Sequence, residues 1–454
     1  MGDLQNVKDP KSPARARLAQ LFDEGKFQEF GAYIQEKDAQ AAVVTAFGYV
    51  NGDPVYAFAQ DQSIHNGAVG EAQAAKISKV FTLAAKTGAP VIGVYDSNGA
   101  FMDGSAASLN AYSLILKRTS QLSGVVPVIS LVLGVCAGSA AIAAAAADFV
   151  VMTEDAELFL TPAFEKGAGS AAAAAANGTA AAVEADEAAA IAKVRALVNL
   201  MPVNNMATVP CMEFDAPAAA SGSDLEGYVS SIADGGSVVA LYEGFGGAAY
   251  TALATVAGTT VGIAATNKTD AKLTEDDCDK LARFMRTCDA FSIPVITLVD
   301  TLGFGGSVET ELKGAVKAVT RLAGSYAEAT TAKIAVVTGT AAGPLFVALA
   351  GKSSNSDFAY ALEGACIAPM APESAVEFLW HDRLKGADDL NAKRKALAKE
   401  YAETVASADK AAALGVVDDV IGAADLRATV TAALSMLEGK RVTNLPKKHS
   451  NFPF

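Results

Sequence analysis

KISKVFTLAAKTGAPVIGVYDSNG, residues 76–99, returns as KLARFMRTCDAFSIPVITLVDTLG, residues 280–303. Lys76, Pro90 and Asp96 in the first copy meet Lys280, Pro294 and Asp300 in the second, each 204 positions on. Both copies run from a helical pattern through a proline into an apolar stretch that ends on aspartate and a glycine loop. That order is typical of an α/β domain, whose ligand sites gather at the carboxyl ends of strands. Downstream, GVCAGSA and GTAAGPL pair Gly134 and Gly138 with Gly339 and Gly343, one residue having been inserted. A period of this size signals tandem domains, because solenoid repeats are only about 20 to 50 residues long. The expected halves are 1–222 and 223–454, with Pro202, Pro210 and Pro217 marking a linker between Pro202 and Gly222.

Each half opens on strands. AAVVTAFGYV (41–50), an NGD turn and the alternating PVYAFAQ (54–60) precede the first copy, and YTALATVAG with VGIAATN precede the second. Further helices are expected over ARLAQLFDEGKFQEF (16–30), Glu71–Lys86, EADEAAAIAKVRALVNLM (184–201) and Asp277–Cys288. The alanine-rich 168–183 reads as helix broken at Gly178, and the tail VTNLPKKHSNFPF reads as extended. Val125–Ala147 carries no charge and is long enough for a membrane span. Two short elements, a strand over Val128–Leu133 and an alanine helix beyond a Gly134–Ser139 turn, account for it better than one span.

Composition narrows the field. With 454 residues, the chain has room for two or three domains, and half of it is apolar. A net charge of −14 argues against broad nucleic-acid binding, which needs a basic surface. Cys136, Cys211, Cys278, Cys288 and Cys366 form no CxxC pair, and with only three histidines a metal site is not expected. These cysteines read as buried small hydrophobes. The opening residues lack the apolar core of a signal peptide, so the expected setting is a reducing cytoplasm.

No nucleophile–base set stands out. His65, His381 and His449 lie in unrelated contexts, His65 reading as a loop hydrogen-bonder, and GxSxG, P-loop and dinucleotide motifs are absent. What remains is glycine after an apolar strand, then the start of a small-residue helix. Such starts expose backbone N–H groups without helical partners, suited to a developing oxyanion. Tight strand–helix packing would favour the same small residues.

FAQDQSIHNGAVGEAQAAKI, TGAPVIGVYDSNGA, GVCAGSAA, LVNLMPVNN, DKLARFMRTCDAFSIPVITLVDTLGF and KKHSNFPF stand in one collinear order. Together they resemble the carboxyltransferase subunits of biotin-dependent acyl-CoA carboxylases and decarboxylases, over nearly the whole chain. The resemblance implies an α/β fold of two tandem crotonase-like domains, the first holding a coenzyme A thioester and the second carboxybiotin. It implies a homo-oligomer with active sites at the subunit interface and enolates held by paired backbone N–H groups, with no side-chain base. Carried onto this sequence, the catalytic pairs are Gly138 with Ser139 and Gly343 with Pro344. The loop Asn98, Gly99, Ala100 would line the acyl-CoA side and the loop Gly303, Phe304, Gly305, Gly306 the biotin side, with Ala137 and Phe346 as further substrate-binding residues.

The chain departs from the family pattern in several places. It reads NGAF where relatives read GGAR, so Asn98 replaces a glycine and Phe101 an arginine. Pro344 has no N–H to give. Phe346 is bulky where relatives tune acyl choice, and alanines 171–176 replace a more polar, basic stretch. No biotin-attachment motif of the AMKM type and no ATP-grasp region are present, so biotin would ride on a separate carrier protein. Two settings follow from the resemblance: the α subunit of a methylmalonyl-CoA-type sodium-pumping decarboxylase, peripheral to a membrane β subunit, or the β subunit of a propionyl-CoA carboxylase beside a biotin carboxylase. The departures also motivate a non-catalytic structural homologue. A crotonase-type hydratase is disfavoured, because no suitable glutamate pair follows the glycine loops.

Overall fold

The computed structural model describes residues 8–9, 11–37, 39–161, 165–266, 271–301 and 303–453. Pro10, Leu302, Phe454 and the first seven residues, on which parts of the expectations fall, lie outside them. The chain divides into two compact units, Met1–Pro210 and Cys211–Phe454.

The first unit is built on a sheet in which Phe27–Phe30, Val43–Val50, Asp53–Gln60, Val91–Ser97, Val128–Ala137, Phe149–Thr153 and Ala182–Glu184 lie side by side in chain order. The first three strands pair antiparallel, the second and third joined by the Asn51–Gly52 turn, and the rest are parallel. Val91–Ser97 is buried throughout, as a parallel strand covered on both faces must be. Helix Glu71–Thr87 packs on the sheet and ends at Gly88, whose left-handed backbone returns its N–H to Ala84 O at 2.8 Å. A short strand, Glu157–Phe159, pairs with the carboxyl end of Val128–Ala137 and makes an antiparallel bridge from Glu157 to Ser170.

The second unit repeats this plan. Val239–Leu241, Ala249–Val256, Thr259–Thr266, Val295–Val299, Lys333–Val337, Phe358–Leu362 and Asp419–Ile421 form its sheet, with the same two antiparallel pairings before the parallel run. The counterpart of the long Val128–Ala137 strand is split here. Lys333–Val337 stays in the main sheet, while Thr340–Ala342 pairs apart with Cys366–Ala368.

Two devices recur. Asp96 and Asp300 end matched strands, and a Cβ at Gly134 or Gly339 would stand 2.3 or 2.4 Å from the respective carboxylate, so both glycines are required by close approach. Arg17 reaches Asp96 at 2.7 Å and Glu187 at 2.6 Å, whereas Asp300 accepts the Thr340 N–H at 2.8 Å. The second device is a clasp. Asp23 accepts the Asn51 and Gly52 N–H groups at 3.0 and 2.9 Å, and Arg195 grips Asp23 at 2.8 Å together with the Leu21 carbonyl. Asp234 accepts the Ala257 and Gly258 N–H groups at 3.0 and 2.8 Å, and Arg427 grips Asp234 at 2.6 Å together with the Ile232 carbonyl.

Some expectations need correction. ARLAQLFDEGKFQEF is helical only up to Leu21 within Pro13–Leu21. Glu24 and Gly25 then take positive φ, and Phe27–Phe30 leaves as a strand. Val128–Ala137 runs through Gly134, so the turn is confined to Gly138, at φ 60°. Ser139–Ala145 follows as a separate helix, and among the described residues no helix is long and apolar enough to cross a membrane. The alanine run forms only Ala171–Ala176, stopped at Asn177 and Gly178. Cys211 is exposed, unlike the other four cysteines, because it lies on the irregular segment where the second unit begins.

Candidate functional site

In the first unit, Ser97 and Cys136 are register partners at the carboxyl ends of adjacent parallel strands. This brings the loop Asn98–Gly99–Ala100 beside Ala137 and Gly138. A Cβ at Gly99, whose φ is 101°, would come within 2.9 Å of the Ala137 carbonyl. The loop is fastened at Asn98, at Gly99 and at the following Phe101. The Asn98 N–H donates to Asn66 O at 3.1 Å, and the Gly99 N–H to Ser97 Oγ at 3.0 Å. The Gly99 carbonyl accepts from the Val69 N–H at 2.9 Å and from Tyr112 Oη at 3.1 Å. The Phe101 N–H donates to Val69 O at 2.9 Å, and Phe101 O accepts from Ser108 Oγ at 2.7 Å. Among the described residues, nothing accepts the Ala100 N–H.

The neighbouring helix start divides the expected catalytic pair. Gly138 spends its N–H on Phe159 O at 2.8 Å, because the short Glu157–Phe159 strand docks there. Ser139, the first helical residue, has no acceptor among the described residues, and neither has Ala140; the first N–H returned inside the turn is that of Ala141, to Gly138 O. The open amides of this corner are therefore that of Ala100, on the loop, and those of Ser139 and Ala140, on the helix, Ser139 being the first of the two.

The second unit repeats the arrangement with one loss. The Gly303 N–H donates to Thr301 Oγ1 at 3.1 Å, Leu273 N–H to Gly303 O at 3.0 Å, and Gly305 N–H to Leu273 O at 2.9 Å. Phe304 is thus the counterpart of Ala100, and its N–H has no acceptor among the described residues. Gly343, at φ 59°, gives its N–H to Ala368 O at 3.0 Å, as Gly138 does to Phe159. Pro344, exposed, holds the place of Ser139 and contributes no donor; Leu345, one residue further, has a free N–H among the described residues. Phe346 is half-buried on the Pro344–Leu349 helix.

The buried thiol and phenol at the first corner stay neutral. Burial pushes the Cys136 thiol up, and Asp96 pushes it further, so it is held as a thiol rather than a nucleophilic thiolate. Burial likewise pushes the Tyr112 phenol up against the opposing pull of its Ser97 hydrogen bond, so Tyr112 remains a donor. Phe101, 6% exposed, lies against the His65 ring at 5.1 Å between centroids, and Lys37 Nζ stands 5.3 Å from the Phe101 ring. His65 and Asn66 hold positive φ, and Gly67 touches the Asp96 backbone so closely that a Cβ would sit 2.1 Å from its carbonyl oxygen. The 61–67 loop is thereby pressed onto the glycine loop. Among the described residues, no cluster of His, Cys, Asp and Glu could hold a metal.

Sequence reading placed Ala100 and Phe304 as lining residues and did not find Val69, Tyr112, Leu273, Phe159 or Ala368. These act through hydrogen bonds formed by distant parts of the chain, and no local motif announces them. The pairing of glycine loops with helix starts, in contrast, was visible from the repeat.

A model of the carboxyl transferase domain family matches residues 5–452. The α subunit of methylmalonyl-CoA decarboxylase from Propionigenium modestum is 36% identical over 98% of this chain and 93% of its own length. The propionyl-CoA carboxylase β chain from Cereibacter sphaeroides is 33% identical over 98% and 94%. The crystal structure of transcarboxylase 12S, a hexamer with hydrolysed methylmalonyl-coenzyme A bound, matches with a TM-score of 0.91 at 32% identity, covering 97% of this chain and 92% of that one. The fold is accordingly a mixed α/β one of the crotonase-like carboxyltransferase type. Matched along nearly its full length at this level of identity, the chain is an enzyme of the carboxyl transferase domain family.

Proposed function

We propose that the chain is a carboxyltransferase subunit that moves a carboxyl group between biotin on a separate carrier protein and a short-chain acyl-CoA of the methylmalonyl/propionyl type. The observation that carries this reading is the pair of open amides, Ala100 and Ser139, at one strand-end corner of a chain with such relatives. A thioester carbonyl placed between them develops negative charge as its α-carbon loses a proton or carboxylate. Two fixed N–H dipoles stabilise that enolate more than the ground-state carbonyl. Gly99, Ala137 and Gly138 keep side chains out of the approach. The first unit, on this reading, is the acyl-CoA side.

The second unit would take the biotin ring. Its residues fit a ureido oxygen through the Phe304 amide, with the Leu345 amide as the nearest alternative to the donor that Pro344 lacks. Biotin, when bound, supplies the transferable carboxyl group and a proton acceptor. Homo-oligomerisation is supported by Val308 and Leu312 on helix Val308–Leu312 and by Val316 on the next helix, Ala315–Glu328, large apolar side chains 77%, 83% and 72% exposed. Between the two settings, the decarboxylase α subunit is preferred, with a membrane β subunit as partner. The higher identity to the P. modestum protein favours it over a carboxylase β subunit beside a biotin carboxylase.

The test is transfer between free biotin or carboxybiotin and a panel of malonyl-type and propionyl-type CoA esters by the purified protein. Carboxyl transfer with methylmalonyl-CoA or propionyl-CoA is expected. Absence of transfer with every ester, together with absence of CoA binding, would replace this reading by the structural homologue that Pro344 motivates.

A further inference from the structure

The amide left open at Ala100 belongs to the same planar peptide as the Gly99 carbonyl. Carbonyl and N–H point in opposite directions across a trans peptide, so whatever fixes one aims the other. The Gly99 oxygen is held from two sides, by the Val69 N–H at 2.9 Å and by Tyr112 Oη at 3.1 Å, with Ser97 Oγ further off at 3.4 Å. Tyr112 is 5% exposed on helix Ala106–Leu122, and Ser97 is fully buried, so neither has solvent as an alternative partner. The second unit retains the backbone and hydroxyl contacts, from Leu273 at 3.0 Å and Thr301 at 3.4 Å, but has no tyrosine on its Gly303 carbonyl. The tyrosine of its corresponding helix, Tyr326, bonds Thr297 Oγ1 at 3.0 Å instead.

We propose that Tyr112 is a positioning residue for the Ala100 amide. Its phenol locks the Gly99–Ala100 peptide plane from the carbonyl side, and so keeps the N–H presented at the strand-end corner. It also polarises that peptide, since a hydrogen bond to a carbonyl strengthens the donor at the other end of the same unit. The residue never touches substrate; it acts through one peptide. Its importance for turnover rests on the carboxyltransferase reading above, whereas its effect on the peptide does not.

The experiment compares the full-length protein with Tyr112→Phe and with Tyr95→Phe, a control that removes another buried phenol, one partnered with Ser130. Measured are kcat and KM for methylmalonyl-CoA with free biotin, or for propionyl-CoA with carboxybiotin, together with the unfolding midpoint and the crystallographic orientation of the 99–100 peptide. For Tyr112→Phe we expect a roughly tenfold loss in kcat, KM within about twofold, and a tilted or flipped 99–100 peptide. Tyr95→Phe should lower the unfolding midpoint while leaving kcat and the peptide as they are. A Tyr112→Phe protein with an unmoved peptide and wild-type kcat overturns the proposal, as does an equal kcat loss in both variants. If the wild-type protein transfers nothing, the carboxyltransferase reading fails, and the peptide orientation alone decides the role of Tyr112.

Discussion

Ser139 and Pro344 occupy the same step in two copies of one motif, and at the backbone nitrogen they differ by the amide hydrogen, which the proline ring replaces. Proline is well tolerated at the first position of a helix, where the N–H has no helical partner. Gly343 precedes Pro344 with φ 59° and ψ −137°, close to the 60° and −123° of Gly138. Ser139→Pro is therefore expected to fold with little change in unfolding temperature. On the proposed function its kcat should fall by about 10²- to 10³-fold, the cost of losing one oxyanion donor. The converse exchange, Pro344→Ser, should raise kcat if the second corner works through the same geometry. Stopped-flow or coupled assays on the two variants read both effects. A Ser139→Pro enzyme with wild-type turnover would remove Ser139 from the reaction.

The elements are fastened by groups that the repeat preserves unevenly. Arg427→Ala should destabilise the second unit by about 1–3 kcal/mol in chemical denaturation, because the Ile232 carbonyl and the buried Asp234 carboxylate lose their donor together. Desolvation raises the Asp234 pKa, but the Arg427 hydrogen bond and the Gly258 and Ala257 amides outweigh it and leave the carboxyl below its ordinary value. Its stabilising contribution is thus complete above the unfolded carboxylate range and is lost as pH falls through the depressed value. The buried lysines titrate at the opposite end. Burial lowers Lys76 and Lys280 to about 8, while the unfolded chain keeps them near the ordinary 10.5. Between about pH 8 and 10 the unfolded state binds more protons, so unfolding free energy should rise with pH there. A urea series across that window, with Lys280→Met flattening the slope, checks it. At this scale the sequence was legible where the pattern was local: the matched strands, the Glu71–Thr87 helix and the Asn51–Gly52 turn all follow from period and turn chemistry. The strand at Phe27–Phe30 was not, because its pairing with Val43–Val50 outweighs the helical pattern of the preceding residues. Nor was the fate of the Gly138 and Gly343 amides. A glycine after a strand looks open in the sequence, and only the docking of Phe159 and Ala368 closes it.

For the whole molecule, the sequence repeat and collinear motifs were enough to suggest two like halves. Their clasps are harder to see, because Asp23 with Arg195 and Asp234 with Arg427 are separated by different lengths of chain. The exposed Val308, Leu312 and Val316 side chains lead to a further prediction. Leu312→Glu places a charge beside them without disturbing a buried contact, and on the oligomer reading it should shift the protein to a smaller species in size-exclusion chromatography with light scattering. An unchanged mass would locate any association elsewhere.

The open amide at Ser139 carries a consequence for heredity. A donor that belongs to the main chain survives replacement of the serine side chain by any other residue with an amide hydrogen, so drift at this codon is largely hidden from selection on chemistry. Only a change to proline deletes the group outright, and the other half of the molecule already carries proline there. On the proposed function, a single serine-to-proline change at such a step would remove one donor while leaving the shape of the helix start intact.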